Sequence, residues 1–176
     1  VVVDWKGDCF VCTCEAWLPI SVGNIMSFSQ LEDIWDSAPA RVLQQTIEDR
    51  SYSHCAVDRC GILDHSQMLD YYSISINIDQ SCNLWCPSCR AEPVMITSGA
   101  EYEEKLAWAT HIVQLLEQTA ITKTTKIVIS GNGDPLASAI MRPLLHNFQP
   151  KANQKLCLYT NGLLLDCLLY TSDAAD

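Results

Sequence analysis

Residues 71–79 place isoleucine at 74, 76 and 78 with polar side chains between, the two-residue period of a strand with one buried face. Residues 101–119 switch to helical spacing, with Leu106, Trp108, Ile112, Val113, Leu115 and Leu116 on or near one side. The acidic run Glu101, Glu103 and Glu104 suits the positive end of that helix. Residues 126–130 predict a second buried strand, and residues 135–148 a second helix that Pro143 should end or kink. Residues 155–160 predict a third strand, followed by an Asn161-Gly162 turn. Strand, helix, strand, helix, strand in that order predicts right-handed βαβ units and a parallel sheet.

The first 63 residues follow another pattern. Residues 1–4 and 10–11 are β-prone and flank Lys6-Gly7-Asp8, a turn signal, which predicts a small hairpin. Ser29-Gln-Leu-Glu32 has the form of a capping box, and Leu31, Ile34 and Trp35 follow at helical spacing. Ser37-Ala-Pro39 ends that helix and opens another, whose apolar stripe is Val42, Leu43 and Ile47. The expected organisation is a small cysteine-rich α+β module over residues 1–63, a polar connector over 64–70 and an α/β unit over 71–166.

Composition narrows the function classes. A chain of 176 residues with 48% hydrophobic content suffices for one ordinary domain, or a small domain plus part of another. No apolar stretch is long enough to span a membrane. A formal net charge of −10 disfavours nucleic acid or an anionic membrane as partner. Ten cysteines behind an opening that lacks the form of a secretory signal point to metal ligation in a reducing, cytoplasmic compartment. The chain opens without Met inside a predicted strand, and residues 167–176 back-translate to a sequence resembling a transposon adapter of sequencing libraries. The expectation is a truncated fragment whose last ten residues are a non-native tail, left out of fold reasoning.

The first predicted strand runs into Cys82-Asn-Leu-Trp-Cys86-Pro-Ser-Cys89, three thiols in one short loop. Four-iron clusters are normally held by four thiolates, so a loop offering three leaves one iron with an open coordination position. The alternatives are a structural zinc site or unconnected buried cysteines; zinc favours four closed ligands in C-x2-C pairs. The second strand ends in Ser130-Gly-Asn132-Gly133-Asp134-Pro135, and parallel sheets bind ligands at the carboxyl ends of their strands. Gly131 and Gly133 permit a turn that exposes carbonyls to a ligand. By itself the segment reads equally as a βα turn in which Asp134 caps the following helix.

The three-cysteine loop at the end of a strand resembles the cluster loop of the radical S-adenosylmethionine (radical SAM) enzymes. The resemblance implies the first half of a parallel (β/α) partial TIM-type barrel, with Cys82, Cys86 and Cys89 holding a [4Fe-4S] cluster. In that family S-adenosylmethionine chelates the open iron, and one electron, which the resemblance implies comes from a donor such as flavodoxin or ferredoxin, splits it to methionine and a 5′-deoxyadenosyl radical. Asn132, Gly133 and Asp134 fall where the family binds the methionine ammonium, with Asp134 where Glu is usual. Ser88 stands where an aromatic residue often precedes the third cysteine, which leaves its backbone to contact adenine. Trp85 is read either as a shield for the cluster or as packing, and Arg90 either as a cation favouring the reduced cluster or as a solvated surface residue. The ribose-binding and adenine-binding strands are expected beyond Asp166, so the fragment itself is expected to be inactive.

The remaining cysteines gather in the first module: Cys9, Cys12, Cys14, Cys55 and Cys60. Five thiols in a unit with a modest core suggest a metal staple. The order Gly7-Asp8, Cys12-Thr-Cys14, Val22-Gly-Asn-Ile25, Leu31 to Trp35 and Cys55-x4-Cys60 resembles the SPASM or twitch auxiliary module of radical SAM maturases. That implies a second [4Fe-4S] cluster on Cys12, Cys14, Cys55 and Cys60, with Cys9 as the competing ligand, and a peptide, protein or other small substrate. The sequence identifies no catalytic side chain. The competing function is a non-catalytic zinc-binding interaction module in which both cysteine groups are structural.

Overall fold

The structure is a computed structural model and describes residues 1–12, 20–58, 60, 71–120, 122–130 and 132–165. Cys14, Gly131, the 64–70 connector and the 167–176 tail lie outside the described residues.

The predicted hairpin forms from β1 (Val2–Val3) and β2 (Asp8–Phe10), and β3 (Gly23–Asn24) adds a second antiparallel partner to β2. Its turn uses Gly7 at φ +76°, where a Cβ would come within 3.0 Å of the Trp108 ring. A 3-10 turn at Ile25–Ser27 leads to α1 (Leu31–Asp36) and α2 (Ala38–Glu48). The rest of the chain gives β4 (Tyr71–Ile76), α3 (Ala100–Gln118), β5 (Thr124–Ile129), α4 (Met141–Asn147) and β6 (Gln154–Leu158).

All six strands join one sheet in the order β3-β2-β1-β4-β5-β6. β4, β5 and β6 are parallel, with Ile74 opposite Ile127 and Ile127 opposite Leu156. β1 extends that ladder, parallel to β4, with Val2 opposite Ser75. The molecule is therefore a mixed α/β protein with a mostly parallel six-stranded sheet, and the two segments read separately from sequence share it. They also share one core, in which Val3, Ile25, Leu31 and Ile34 are buried with Ile74, Ile76, Ile112, Leu115 and Ile127.

Lys105 crosses this seam. It is only 1% exposed, and its Nζ donates to the carbonyls of Trp5 at 2.7 Å and Ile78 at 2.8 Å. Glu101, one helical turn earlier, lies 3.7 Å from the ammonium. A buried cation needs such partners, and here they tie the hairpin turn, α3 and the end of β4 together.

Three local expectations shift. The N-cap of α1 is Gln30, whose backbone N–H donates to Asp33 Oδ2 at 3.0 Å, one residue beyond the expected Ser29 and Glu32 pair. Glu32 instead accepts from Thr119 Oγ1 and the Ala120 N–H, each at 2.9 Å, and so docks α1 against the end of α3. The helix expected over 135–148 starts only at Met141, which puts Pro143 in its first turn, where the missing N–H costs nothing. Ser138 Oγ accepts from the N–H groups of Ile140 and Met141 and so satisfies the helix start. On α2, Leu43 is buried with Ala40, while Val42 and Ile47 are exposed.

Candidate metal centre

β4 delivers the chain to the three-cysteine loop through Asp79 and Ser81, both buried. Asp79 Oδ1 accepts from the N–H and the hydroxyl of Ser81, each at 3.0 Å, and Oδ2 accepts from the Ser138 hydroxyl. The Ser81 hydroxyl accepts from the Ile96 N–H at 2.9 Å, and the Cys82 N–H donates to the Val94 carbonyl at 3.0 Å. Residues 82–94 thus form a loop clasped at both ends. Within it, the N–H groups of Cys89 and Arg90 donate to the Cys86 carbonyl, and the Leu84 N–H points at Cys82 Sγ across 3.4 Å.

Cys82, Cys86 and Cys89 line one small cavity of about 80 Å³ with Leu84, Arg90, Asn132 and Gly133. Cys86 and Cys89 are exposed and Cys82 is half-buried. Two of the four predicted cofactor residues, Asn132 and Gly133, therefore meet the three thiols. Gly133 lies so close to the loop that a Cβ would sit 2.1 Å from the Ser81 carbonyl oxygen. The Asp134 N–H donates to that same oxygen at 2.8 Å. Arg90 bridges the seam, its Nη1 donating to the Gln80 carbonyl at 2.7 Å and its Nη2 to the Asn132 carbonyl.

Asp134 is placed differently. It is 3% exposed, and its carboxylate accepts from the Leu136 N–H at 2.9 Å and from Thr160 Oγ1 and the Asn161 N–H, each at 2.7 Å. The residue fastens the turn after β5 to the turn after β6. Ser88 and Trp85 are exposed, Trp85 by 62%, and neither lines the cavity. Sequence reasoning passed over Asp79, Ser81 and Ser138, whose roles arise from contacts between segments that no local motif marks.

The first module places its thiols at the other end of the sheet. β2 runs antiparallel to β1, so Cys12 follows it where β4 begins, whereas Cys82 lies beyond the end of β4. The Cys55 thiol is pushed above its ordinary range by burial and by the nearby Cys12 and Cys60 sulfurs. Those three therefore gather, while Cys9 stands apart in β2, fully buried in the core, and burial pushes its thiol up to about 12.

Thiolate donors suit both zinc and iron–sulfur clusters. Among the described residues, no three His, Cys, Asp or Glu side chains converge closely enough to hold a single metal ion. A four-iron cluster takes each thiolate at a different iron, so its ligands do not have to meet at one point. Among the described residues, no helix is long and apolar enough to cross a membrane.

Comparison with curated proteins found no match, and comparison with solved structures found none. Residues 1–61 match the family model of SPASM, an iron-sulfur cluster-binding domain.

Proposed function

We propose that the chain is part of a radical SAM enzyme, with a [4Fe-4S] cluster on Cys82, Cys86 and Cys89 and an auxiliary cluster in the SPASM-matched module. In this reading β4 to β6 are the first strands of a partial (β/α) barrel. The observation that carries it is the shared cavity of the three thiols with Asn132 and Gly133, at the carboxyl ends of parallel strands. When bound, the cluster and S-adenosylmethionine would supply a 5′-deoxyadenosyl radical that takes a hydrogen atom from a substrate.

The chain's own residues hold and shape that site. Cys82, Cys86 and Cys89 are the ligands, and the Leu84 N–H directed at Cys82 Sγ stabilises thiolate charge. The lack of a Cβ at Gly133 lets the turn after β5 approach the loop, which brings Asn132 and Gly133 to the cavity where the methionine ammonium would bind. Asp134 serves that approach by locking the turn in place, and Ser88 offers only its backbone to an adenine. In the auxiliary module Cys12, Cys55 and Cys60 are the described ligands and Cys14 the fourth. The substrate class consistent with a SPASM module is a peptide, a protein or another small molecule, and the electron donor is of the flavodoxin or ferredoxin type.

Anaerobic reconstitution with ferrous iron and sulfide tests the reading. The expected result is two clusters per chain, one of them with a paramagnetic resonance signal altered by S-adenosylmethionine and absent in Cys86→Ala. Stoichiometric zinc with no retained iron would overturn it in favour of a structural zinc module.

A further inference from the structure

We infer that Arg90 is a positioning residue that clamps the Asn132-Gly133 turn onto the cysteine loop and fixes a positive charge at the rim of the three-thiol cavity. This rests on the cluster reading proposed above.

The geometry is specific to a guanidinium. Gln80 precedes the loop and Asn132 lies in the turn after β5, 42 residues from Arg90, yet one side chain donates to both carbonyls. A planar fork of donors can span two separate acceptors, which a lysine ammonium on a flexible stem does not reproduce. The second tie across the same seam, from the Asp134 N–H to the Ser81 carbonyl, engages the residues that follow Gln80 and Asn132 in the two loops. Gly133 sits between the two ties, where a Cβ would strike backbone of Gln80 and Ser81. The approach is therefore held on both sides of the residue whose bareness permits it.

The charge has its own consequence. Arg90 is half-buried and lines the cavity beside Cys82, Cys86 and Cys89. Three thiolates make a cluster there anionic, and one further electron makes it more so. A fixed cation beside it stabilises the reduced form more than the oxidised form, and net charge is among the levers that set cluster potentials.

The test uses the full chain as wild type, Arg90→Lys and Arg90→Gln, reconstituted anaerobically and assayed first for iron and sulfide. Each loop cluster is then reduced by one electron from dithionite in a potentiometric titration followed by paramagnetic resonance. Cys86→Ala identifies its signal. Arg90→Gln should titrate at a more negative potential and lose the spectral response to S-adenosylmethionine. Arg90→Lys should keep the wild-type potential yet respond more weakly. Wild-type potential and response in Arg90→Gln would overturn the inference, and a changed potential with an intact response would overturn the clamp. Should Arg90→Gln take up no iron, Arg90→Lys decides, since an undiminished response there overturns the clamp. A wild-type chain that retains no iron overturns the cluster reading itself, before Arg90 is compared.

Discussion

The side-chain amide of Asn161 donates to Oδ1 of Asn83 across 2.8 Å, joining the turn after β6 to the cysteine loop after β4. Asp134 holds the backbone of the same Asn161, and Arg90 holds Asn132. The three loops at the carboxyl end of the parallel strands are thus fastened pairwise, and the three-thiol cavity lies within that fastening. Preorganisation of this kind would keep the three thiols in place for the proposed cluster.

Asp134→Asn tests the central fastener. The carboxylate accepts from three donors, and an amide must turn its NH2 toward at least one of them. Leaving a buried donor unpaired costs about 1–3 kcal/mol. Urea unfolding should show a destabilisation of about that size with an unchanged slope. A variant as stable as wild type would mean that the Thr160 and Asn161 contacts carry no weight.

Gly133→Ala should be worse than its single methyl suggests. The new Cβ would lie 2.1 Å from the Ser81 carbonyl oxygen and 2.7 Å from Gln80 backbone atoms, and backbone cannot rotate away as a side chain can. The turn after β5 must withdraw from the loop, which strains the Asp134 N–H to Ser81 bond and the Arg90 bridge together. The expected outcome is a loss of about 2 kcal/mol or more, as for other strained backbone positions. Hydrogen exchange should speed up at the Asp134 amide, and unchanged exchange there would refute the close approach.

Lys105→Met keeps the aliphatic stem and removes the ammonium. The carbonyls of Trp5 and Ile78 would lose a charged donor in the core, at about 1–3 kcal/mol in total once the better-packed stem is counted. Because Lys105 joins the hairpin turn to the end of β4, exchange protection should fall in both β1 and β4. Loss confined to α3 would show that the lysine serves its own helix alone.

How much of this was legible depends on sequence distance. The period of Ile74, Ile76 and Ile78 announces β4, and the spacing of Cys82, Cys86 and Cys89 announces a loop of three thiols, which line one cavity, because both signals are local. Pro143 reads as a stop or kink within a helix over 135–148, whereas it lies in the first turn of α4, and Leu136 and Ile140 are buried in turns that mimic helical spacing. Asp134 reads locally as a cap or a ligand, whereas its strongest partners lie 26 and 27 residues further on. The parallel pairing of β1 with β4 has no local signature, since two valines carry no period. Sequence pattern therefore divides the chain where the sheet does not.

Cys9 offers a test of which thiols are free for metal. Burial pushes its pKa from 9.0 up to about 12, while Cys86 and Cys89 are exposed. An unfolded chain releases the Cys9 proton near 9.0, and the folded chain retains it until about 12. The folded state thus binds more protons across that window. The stability gained by keeping Cys9 neutral is complete below pH 9 and is lost as the pH rises toward 12, at about 1.4 kcal/mol per pH unit at most. Cys9→Ala should therefore flatten the fall of stability above pH 9 and leave the iron content of the reconstituted chain unchanged. Alkylation of the native metal-free chain at pH 8, read by mass spectrometry, should label Cys86 and Cys89 well before Cys9. Equal labelling rates, or iron lost on Cys9→Ala, would return Cys9 to the set of ligands.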